Sequence, residues 1–464
     1  MLYYIETLGC QMNKLDSELV AGVLDRQNYQ PTSEPSEADV AILNTCSVRD
    51  HAEEKALSRL GHFEYLRKKN GRPMVLVIIG CFAQRSPEKI RDKSPFVDII
   101  CGPGELHHLS AMIADAKNAR QERKKTPARI ATTDFRKMRS CKMDISDELE
   151  QMDLCRPIKT GEFQRFVRAQ RGCDNFCSYC VVPFTRGPEC SRPVSNILEE
   201  VKRISETNCR EITLIGQTVS SYRWTQNGQT VGLAELLRKV SEACSIPRIR
   251  FITSYPADFS LDIFHAMAEI NRICPYLHLP AQHGSNRMLK QMNRRYTIED
   301  YILLLEKGRS IVPNLSVAGD FIVGFPTESE DDHRASLDLL RKIRYKNCFI
   351  FKYSIRPGTL AEKHYPITDE IPEEIKSRRH SEMLTEQDRI SFEDNQILVG
   401  KTVSVLVENT SKKNRSKQTD KQQLVGRTVE DKIVIFDGPE SLIGSISKVK
   451  IASASSLTLF GESL

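Results

Sequence analysis

The chain has 464 residues, 40% hydrophobic and 28% charged, with a formal net charge of +6. That length exceeds what a single hydrophobic core serves, so two or three domains are expected, and no apolar run approaches the eighteen or so residues of a membrane helix. Fourteen cysteines in so long a chain, with one tight cluster among them, exclude a small secreted disulfide scaffold and fit reduced thiols in a cytoplasm, some of them metal ligands.

The opening "MLYYIETLGC" carries Glu6 among its apolar residues and no basic n-region, so it reads as a first strand rather than a signal peptide. Up to about residue 117, strands at "YYIETLG", "DVAILNT", "MVLVIIG" and "VDIICG" alternate with helices at 14–27, from near Arg49, after Ser86 and from Glu105. This alternation predicts an N-terminal α/β domain over 1–117, built on a parallel sheet covered on both faces. Residues 118–160 lose periodicity. Ten Lys/Arg between Lys117 and Lys142 stand against Glu122 and Asp134, which predicts a basic linker.

Over 161–395 the alternation resumes. Six strands are expected at "FQRFVRAQ", "EITLIG", "RIRFITS", "YLHLP", "LSVAGDFIVG" and "CFIFKYS", with helices near 196–207, 232–243, 260–270, 297–311 and 330–344, and charged helices after 369. Six β/α units are two short of a full barrel, so a partial (β/α)6 barrel is expected. Over 396–464, five short β-branched segments predict a small all-β barrel of the kind that binds oligonucleotides. Its "SKKNRSKQTDK" stretch, 411–421, sets five basic residues against Asp420. Either basic stretch alone is equally a solvated loop; the two together point to a polyanion, most simply nucleic acid.

Each strand of the central domain is followed by an unusual loop, and in a parallel α/β barrel the carboxyl ends of the strands open on one face. Glycine and proline in these loops also serve as turn punctuation. The first loop, "GCDNFCSYC", holds Cys173, Cys177 and Cys180 within eight positions. Structural zinc needs a fourth ligand, usually from a second C-x2-C or His pair, and none is evident downstream. A [4Fe-4S] cluster on three thiolates instead keeps one iron open to a small molecule. Cys10, Cys46 and Cys81 each follow a predicted strand of the first domain, which puts them at one sheet edge, as loop cysteines or as a second three-coordinate site.

The C-x3-C-x2-C spacing with Tyr179 before its last cysteine resembles that of radical S-adenosylmethionine (SAM) enzymes. With "LGCQMN", "NTCSVRDHAEEK", "GCFAQ", "RGCDNFCSYCVVPFTRGPECSRP", "EITLIGQTVSSY", "HLPAQHGSNRMLKQMNRRYT", "DFIVGFPTES" and "YSIRPGT", the chain resembles the methylthiotransferases of the radical SAM superfamily, in the branch acting on dimethylallyladenosine in tRNA. The motifs span residues 7 to 360, and the tail resembles the family's RNA-binding TRAM domain. The resemblance implies two [4Fe-4S] clusters: one on Cys173, Cys177 and Cys180 that binds SAM, and an auxiliary one on Cys10, Cys46 and Cys81.

It further implies that a radical derived from SAM takes the hydrogen from C2 of an N6-dimethylallyl (isopentenyl) adenosine in the anticodon loop, and that a methylthio group replaces it, with two SAM molecules per product. By position, Gly216, Gln217, Ser254 and Gln282 are implied to approach SAM, with the backbone of "VGFP"; Tyr179 lies beside the adenosyl group or is plain packing. The remaining eight cysteines, Cys101, Cys155 and Cys190 among them, match no ligand position and read as ordinary thiols. His283 in "AQHGS" and Arg223 and Trp224 in "SSYRW" depart from the family pattern on the edge expected to face the substrate. Implied partners are tRNA and a flavodoxin- or ferredoxin-type electron donor, with the sulfur donor open. A cytoplasmic monomer off the membrane is expected. Within the same chemistry the alternatives are a ribosomal-protein aspartate or a threonylcarbamoyl-adenosine substrate; of another class, a noncatalytic RNA-binding protein holding structural zinc.

Overall fold

The computed structural model describes residues 1–46, 50–122, 128–134, 143–154, 156–157, 161–411 and 422–464. Lys412, Lys413 and Arg415 of the basic loop, Cys155 and much of the 118–160 stretch lie outside them. The chain forms two units. The first takes Met1–Pro157, Gln170–Phe176 and Cys180–Arg192; the second takes Cys177–Tyr179, Pro193–Leu464 and the described part of 158–169.

In the first unit, β1 (Leu2–Leu8), β2 (Gln30–Pro31), β3 (Val40–Thr45), β4 (Val75–Gly80), β5 (Ile99–Cys101) and β6 (Arg129–Ala131) form a six-stranded sheet in the order β2-β1-β3-β4-β5-β6, parallel throughout. Every residue of "VAILNT" and "VLVIIG" is buried, as central strands covered on both faces require. Strand alternation sends Val40, Ile42, Val77 and Ile79 to one core with α1 (Gln11–Arg26), α5 (Leu109–Gln121) and α6 (Met143–Leu154). Ala41, Leu43, Leu76 and Ile78 go to the other, with α2 (Asp50–Asn70), α3 (Cys81–Arg85) and α4 (Pro87–Lys93).

The stretch read as a linker therefore carries structure. It supplies β6, and it supplies α6, whose Leu149 and Met152 join the first core. Glu150 of α6 also forms a buried pair with Arg192 at 2.7 Å. A three-residue strand and a helix with few apolar anchors leave little periodicity beside so many charges. The unit is completed by β8 (Gln170–Arg171) and β9 (Cys190–Ser191), which pair antiparallel across the base of the cysteine loop, and by α7 (Val182–Arg186).

In the second unit, β7 (Gln164–Arg168), β10 (Glu211–Ile215) and β13 (Arg248–Ile252) form one parallel sheet, and β14 (Tyr276–His278), β15 (Ser316–Val323) and β16 (Asn347–Lys352) another. Backbone bonds Cys274 N–H to Ile249 O (2.9 Å) and Ser254 N–H to His278 O (3.1 Å) join them edge to edge, giving the six-stranded partial barrel in sequence order. The intervening helices α8 (Val194–Ser205), α9 (Leu233–Ala243), α10 (Leu261–Glu269), α12 (Ile298–Ile311) and α13 (Glu330–Ile343) fall within a few residues of the expected spans. Capping boxes at Thr297/Asp300 and Ser329/Asp332 satisfy free N–H groups where α12 and α13 begin. A hairpin of β11 (Arg223–Gln226) and β12 (Gln229–Gly232) and the short helices α11 (Asn286–Gln291) and α14 (Leu360–His364) decorate the loops.

After α15 (Glu373–Gln396), strands β17 (Thr402–Thr410), β18 (Gln422–Thr428), β19 (Ile433–Gly438), β20 (Ile446–Ala454) and β21 (Thr458–Ser463) close a barrel in the order β17-β18-β19-β21-β20 around Val405, Leu424, Phe436 and Leu459. This barrel docks on the amino ends of the parallel strands. Arg248, the first residue of β13, donates to Arg427 O at 2.8 Å and Ser404 O at 3.0 Å; Arg250 donates to Val429 O, Thr428 O and Glu211; Lys346 meets Asp431 at 2.6 Å. No described helix is long and apolar enough to cross a membrane.

Candidate metal centres

In β1, β3 and β4 the last residues are cross-strand neighbours: Leu8 stands opposite Thr45, and Thr45 opposite Gly80. Cys46 and Cys81 follow those positions directly, and Cys10 follows by two, at the N-terminal cap of the 16-residue α1. Strands about 4.8 Å apart thus put three cysteines side by side at the carboxyl edge. Cys46 and Cys81 are buried and Cys10 is exposed. The Cys10 thiol is pulled down to about 6, first by a hydrogen bond from Cys46 and then by the positive charge of Arg186. Burial instead pushes Cys81 up, and pushes Cys209 to about 11 and Cys274 to about 12.

An amide ladder holds this edge in register. Buried Asn13 donates to Asn44 Oδ1 at 2.7 Å, and Asn44 returns bonds to Asn13 O (2.8 Å) and Ser17 Oγ (2.9 Å). Asn13 Oδ1 accepts from the Cys10 thiol at 3.2 Å. Gly80 has φ +98°, and a Cβ there would lie 2.4 Å from Thr45 O and 2.5 Å from Asn44 Oδ1, so the position before Cys81 admits glycine alone. Arg186 of α7 enters beside the triad, paired with Asp16 at 2.6 Å, and its positive charge works to lower the Cys81 thiol. This donor set, three sulfurs with a guanidinium against them, fits an iron–sulfur cluster carrying net negative charge.

The sulfurs of the C-x3-C-x2-C loop each meet their own N–H donor. Cys173 Sγ accepts from Asn175 Nδ2 at 3.5 Å, Cys180 Sγ from the Val182 N–H at 3.4 Å, and Cys177 Sγ from Arg294 Nη1 at 3.4 Å. Such donors suit thiolates better than thiols, and three thiolates of this kind are the donor chemistry an iron–sulfur cluster takes. Gly172 opens the loop at φ +66°, where a Cβ would lie 1.9 Å from Pro188 O. Burial works against the Arg294 charge, but Tyr296, Tyr179 and Cys177 hold it protonated, and its guanidinium lies 4.3 Å from the Tyr255 ring.

Residues implied to meet SAM lie at the carboxyl ends of the second unit's strands. Gly216 and Gln217 follow β10, and Gly216 is tied to Ile252 O. Ser254 follows β13; it is buried, and its hydroxyl has no hydrogen-bond partner among the described residues, leaving it free for a polar ligand. Gln282 bridges to β15 at φ +70°. Tyr179 packs, partly buried, against the cluster formed by Met288, Met292, Phe325, Tyr353 and Ala361. At Gly324 of "VGFP" the close approach is to Lys376, 2.3 Å from an added Cβ, and its N–H is taken by Glu328 at 2.6 Å.

Two expectations need correction. His283 does not face a substrate edge: it is fully buried, bonded to Glu328 at 2.8 Å and Ser336 at 3.2 Å, with Ser285 N–H donating to its Nδ1. Its imidazole braces the Gly324 loop through Glu328. Cys190 is no free thiol, being disulfide-bonded. Trp224, in the hairpin, packs half-buried against the barrel core, while Arg223 is exposed. Sequence reading passed over Arg186, Arg294, Asn13 and Asn44, although all four stand inside quoted motifs.

Three family models match: the Uncharacterized protein family UPF0004 over residues 2–102, the Radical SAM superfamily over 167–340 and the TRAM domain over 396–464. The chain is 40% identical over 463 residues to the tRNA-2-methylthio-N(6)-dimethylallyladenosine synthase of Rhodopirellula baltica, covering 99% of this chain and 95% of that one. It is 38% identical to the enzyme of that name from Syntrophotalea carbinolica, covering 99% of each. Among solved structures, the radical S-adenosylmethionine methyltransferase TsrM of Kitasatospora setae shares the fold, with TM-score 0.53 and 11% identity over 78% of this chain and 76% of that one. With its cysteine triads, partial barrel and closing β-barrel, the chain belongs to the tRNA-2-methylthio-N(6)-dimethylallyladenosine synthase family of the radical SAM superfamily.

Proposed function

We propose that this chain transfers a methylthio group to C2 of N6-dimethylallyladenosine in the tRNA anticodon loop by radical SAM chemistry. The observation that carries the reading is the cysteine loop, in which three sulfurs within eight positions each accept an N–H bond. The near full-length identity to synthases of that name favours tRNA over a ribosomal-protein aspartate or a threonylcarbamoyl-adenosine substrate.

The C2 hydrogen of an adenine is not acidic enough for any side-chain base near neutral pH. When bound, a [4Fe-4S] cluster with SAM supplies the one-electron chemistry that this bond requires. The chain's own residues bind and orient. Cys173, Cys177 and Cys180 would hold one cluster and Cys10, Cys46 and Cys81 a second, which would supply a site for the sulfur to be transferred. Ser254 offers its hydroxyl, and Gly216, Gln217 and Gln282 their strand-end positions, to SAM. Arg294 donates to Cys177 Sγ and orients that sulfur. The β-barrel of 396–464 binds tRNA backbone. On this reading the chain acts in the cytoplasm as a monomer, with a flavodoxin- or ferredoxin-type electron donor.

Mass spectrometry of tRNA nucleosides from cells lacking the gene tests the proposal. The methylthio mark is expected to vanish while dimethylallyladenosine accumulates; an undiminished mark overturns it. Anaerobically prepared protein is expected to carry about eight irons per chain.

A further inference from the structure

Arg186 and Asp16 are 170 residues apart, yet their side chains are 6% and 2% exposed and meet at 2.6 Å. A buried guanidinium is costly unless its charge and its N–H groups are answered. Asp16 answers Nη1. Nη2 is buried and has no hydrogen-bond partner among the described residues. α7 packs on α3, whose first residue is Cys81, and the guanidinium acts electrostatically on Cys81 and Cys10, two of the three sulfurs at the sheet edge. The arginine closes α7, which begins two residues after Cys180, so one short segment joins the last cysteine of the loop to the side of the other triad.

We infer that Arg186 is a positioning and charge-tuning residue of the auxiliary centre, its Nη2 donating to sulfur of the cluster on Cys10, Cys46 and Cys81 while Asp16 fixes the guanidinium for that contact. The inference rests on the reading that this triad holds a [4Fe-4S] cluster. Reduction adds negative charge to a buried centre, so an adjacent cation favours the reduced form and its carboxylate partner opposes it. Neutralising the arginine and neutralising the aspartate must then move the cluster's potential in opposite directions.

The test uses the full-length chain with Cys173→Ala, Cys177→Ala and Cys180→Ala, so that one cluster, about four irons, remains. Its midpoint potential is read by an EPR-monitored redox titration. Arg186→Gln is expected to shift it to more negative values and Asp16→Asn to more positive ones. Each shift is expected to be on the order of a tenfold change in the reduced-to-oxidised ratio, ~59 mV for a one-electron couple. Arg186→Lys should fall between arginine and glutamine. Unmoved potentials, or shifts of the same sign in both variants, overturn the role; a merely structural residue gives no opposed pair. Should Arg186→Gln fail to fold, Asp16→Asn decides alone, and an unmoved or lowered potential rejects the inference. A triple-alanine chain that binds no iron removes the auxiliary cluster itself, and this inference with it.

Discussion

Cys173, Cys177 and Cys180 come from one loop, whereas Cys10, Cys46 and Cys81 stand 36 and 35 residues apart and meet only because β1, β3 and β4 end in register. The loop triad is carried by local chain geometry, with Gly172 and Phe176 at positive φ and the β8–β9 pair at its base. The strand-borne triad is carried by tertiary structure: an amide ladder, a glycine that lets two strand ends touch, and a salt bridge from another segment. Equal cysteine counts therefore hide unequal dependence on the rest of the fold.

The largest expected effect separates the two sites chemically. Cys46→Ala and Cys177→Ala should each halve the iron, from about eight to about four per chain, and abolish methylthiolation. Only Cys177→Ala should also abolish 5′-deoxyadenosine formation from SAM under reducing conditions; loss of that product in Cys46→Ala would break the division of labour.

Gly80→Ala comes next. Positive φ and the Thr45 carbonyl together should cost at least about 2 kcal/mol, read as a lower urea midpoint, with iron lost from the auxiliary triad first. Asn44→Ala should follow at about 1–3 kcal/mol, since it removes one of the two acceptors of the buried Asn13 amide and the donor to Asn13 O, and it too should spare the loop cluster. Equal loss of iron from both sites in either variant would mean that the loop also leans on the ladder.

The smallest effect lies far from both triads. Burial works to raise Glu328 and Asp332, but His283 and the Gly324 N–H outweigh it for the first, and Arg287, Ser285 and Ser329 for the second, so both are held below the usual carboxylate range. Carboxyls depressed in the folded state stabilise it fully above their unfolded values, near 4, and lose that contribution as the pH falls further. Thermal denaturation of the second unit should therefore shift down below about pH 4. Glu328→Gln should shrink that shift while leaving iron content and tRNA selectivity unchanged. Altered selectivity would return His283 and its partner to the substrate edge.

The alternation of strands and helices was readable because "VAILNT" and "VLVIIG" are apolar throughout and the capping residues Thr297 and Ser329 stand where their helices begin. The cysteine loop was readable for a different reason, its ligands being neighbours in the chain. What escaped notice shares one property. Arg186 answers an aspartate 170 residues away and His283 a glutamate 45 residues away, and a single sequence records neither burial nor partner. β6 and α6 escaped because a short strand and a sparsely apolar helix look like any charged loop.

The mooring of the C-terminal barrel has a metric consequence. Arg248, Arg250 and Lys346 clamp its backbone and Asp431 to the amino end of the parallel sheet, while Ser254 and Gln282 follow the carboxyl ends of its strands. Five residues of strand measure roughly 17 Å, so within this unit the barrel and the carboxyl rim of the sheet stand at least that far apart. The strands thus act as a calliper of fixed opening between the barrel and that rim.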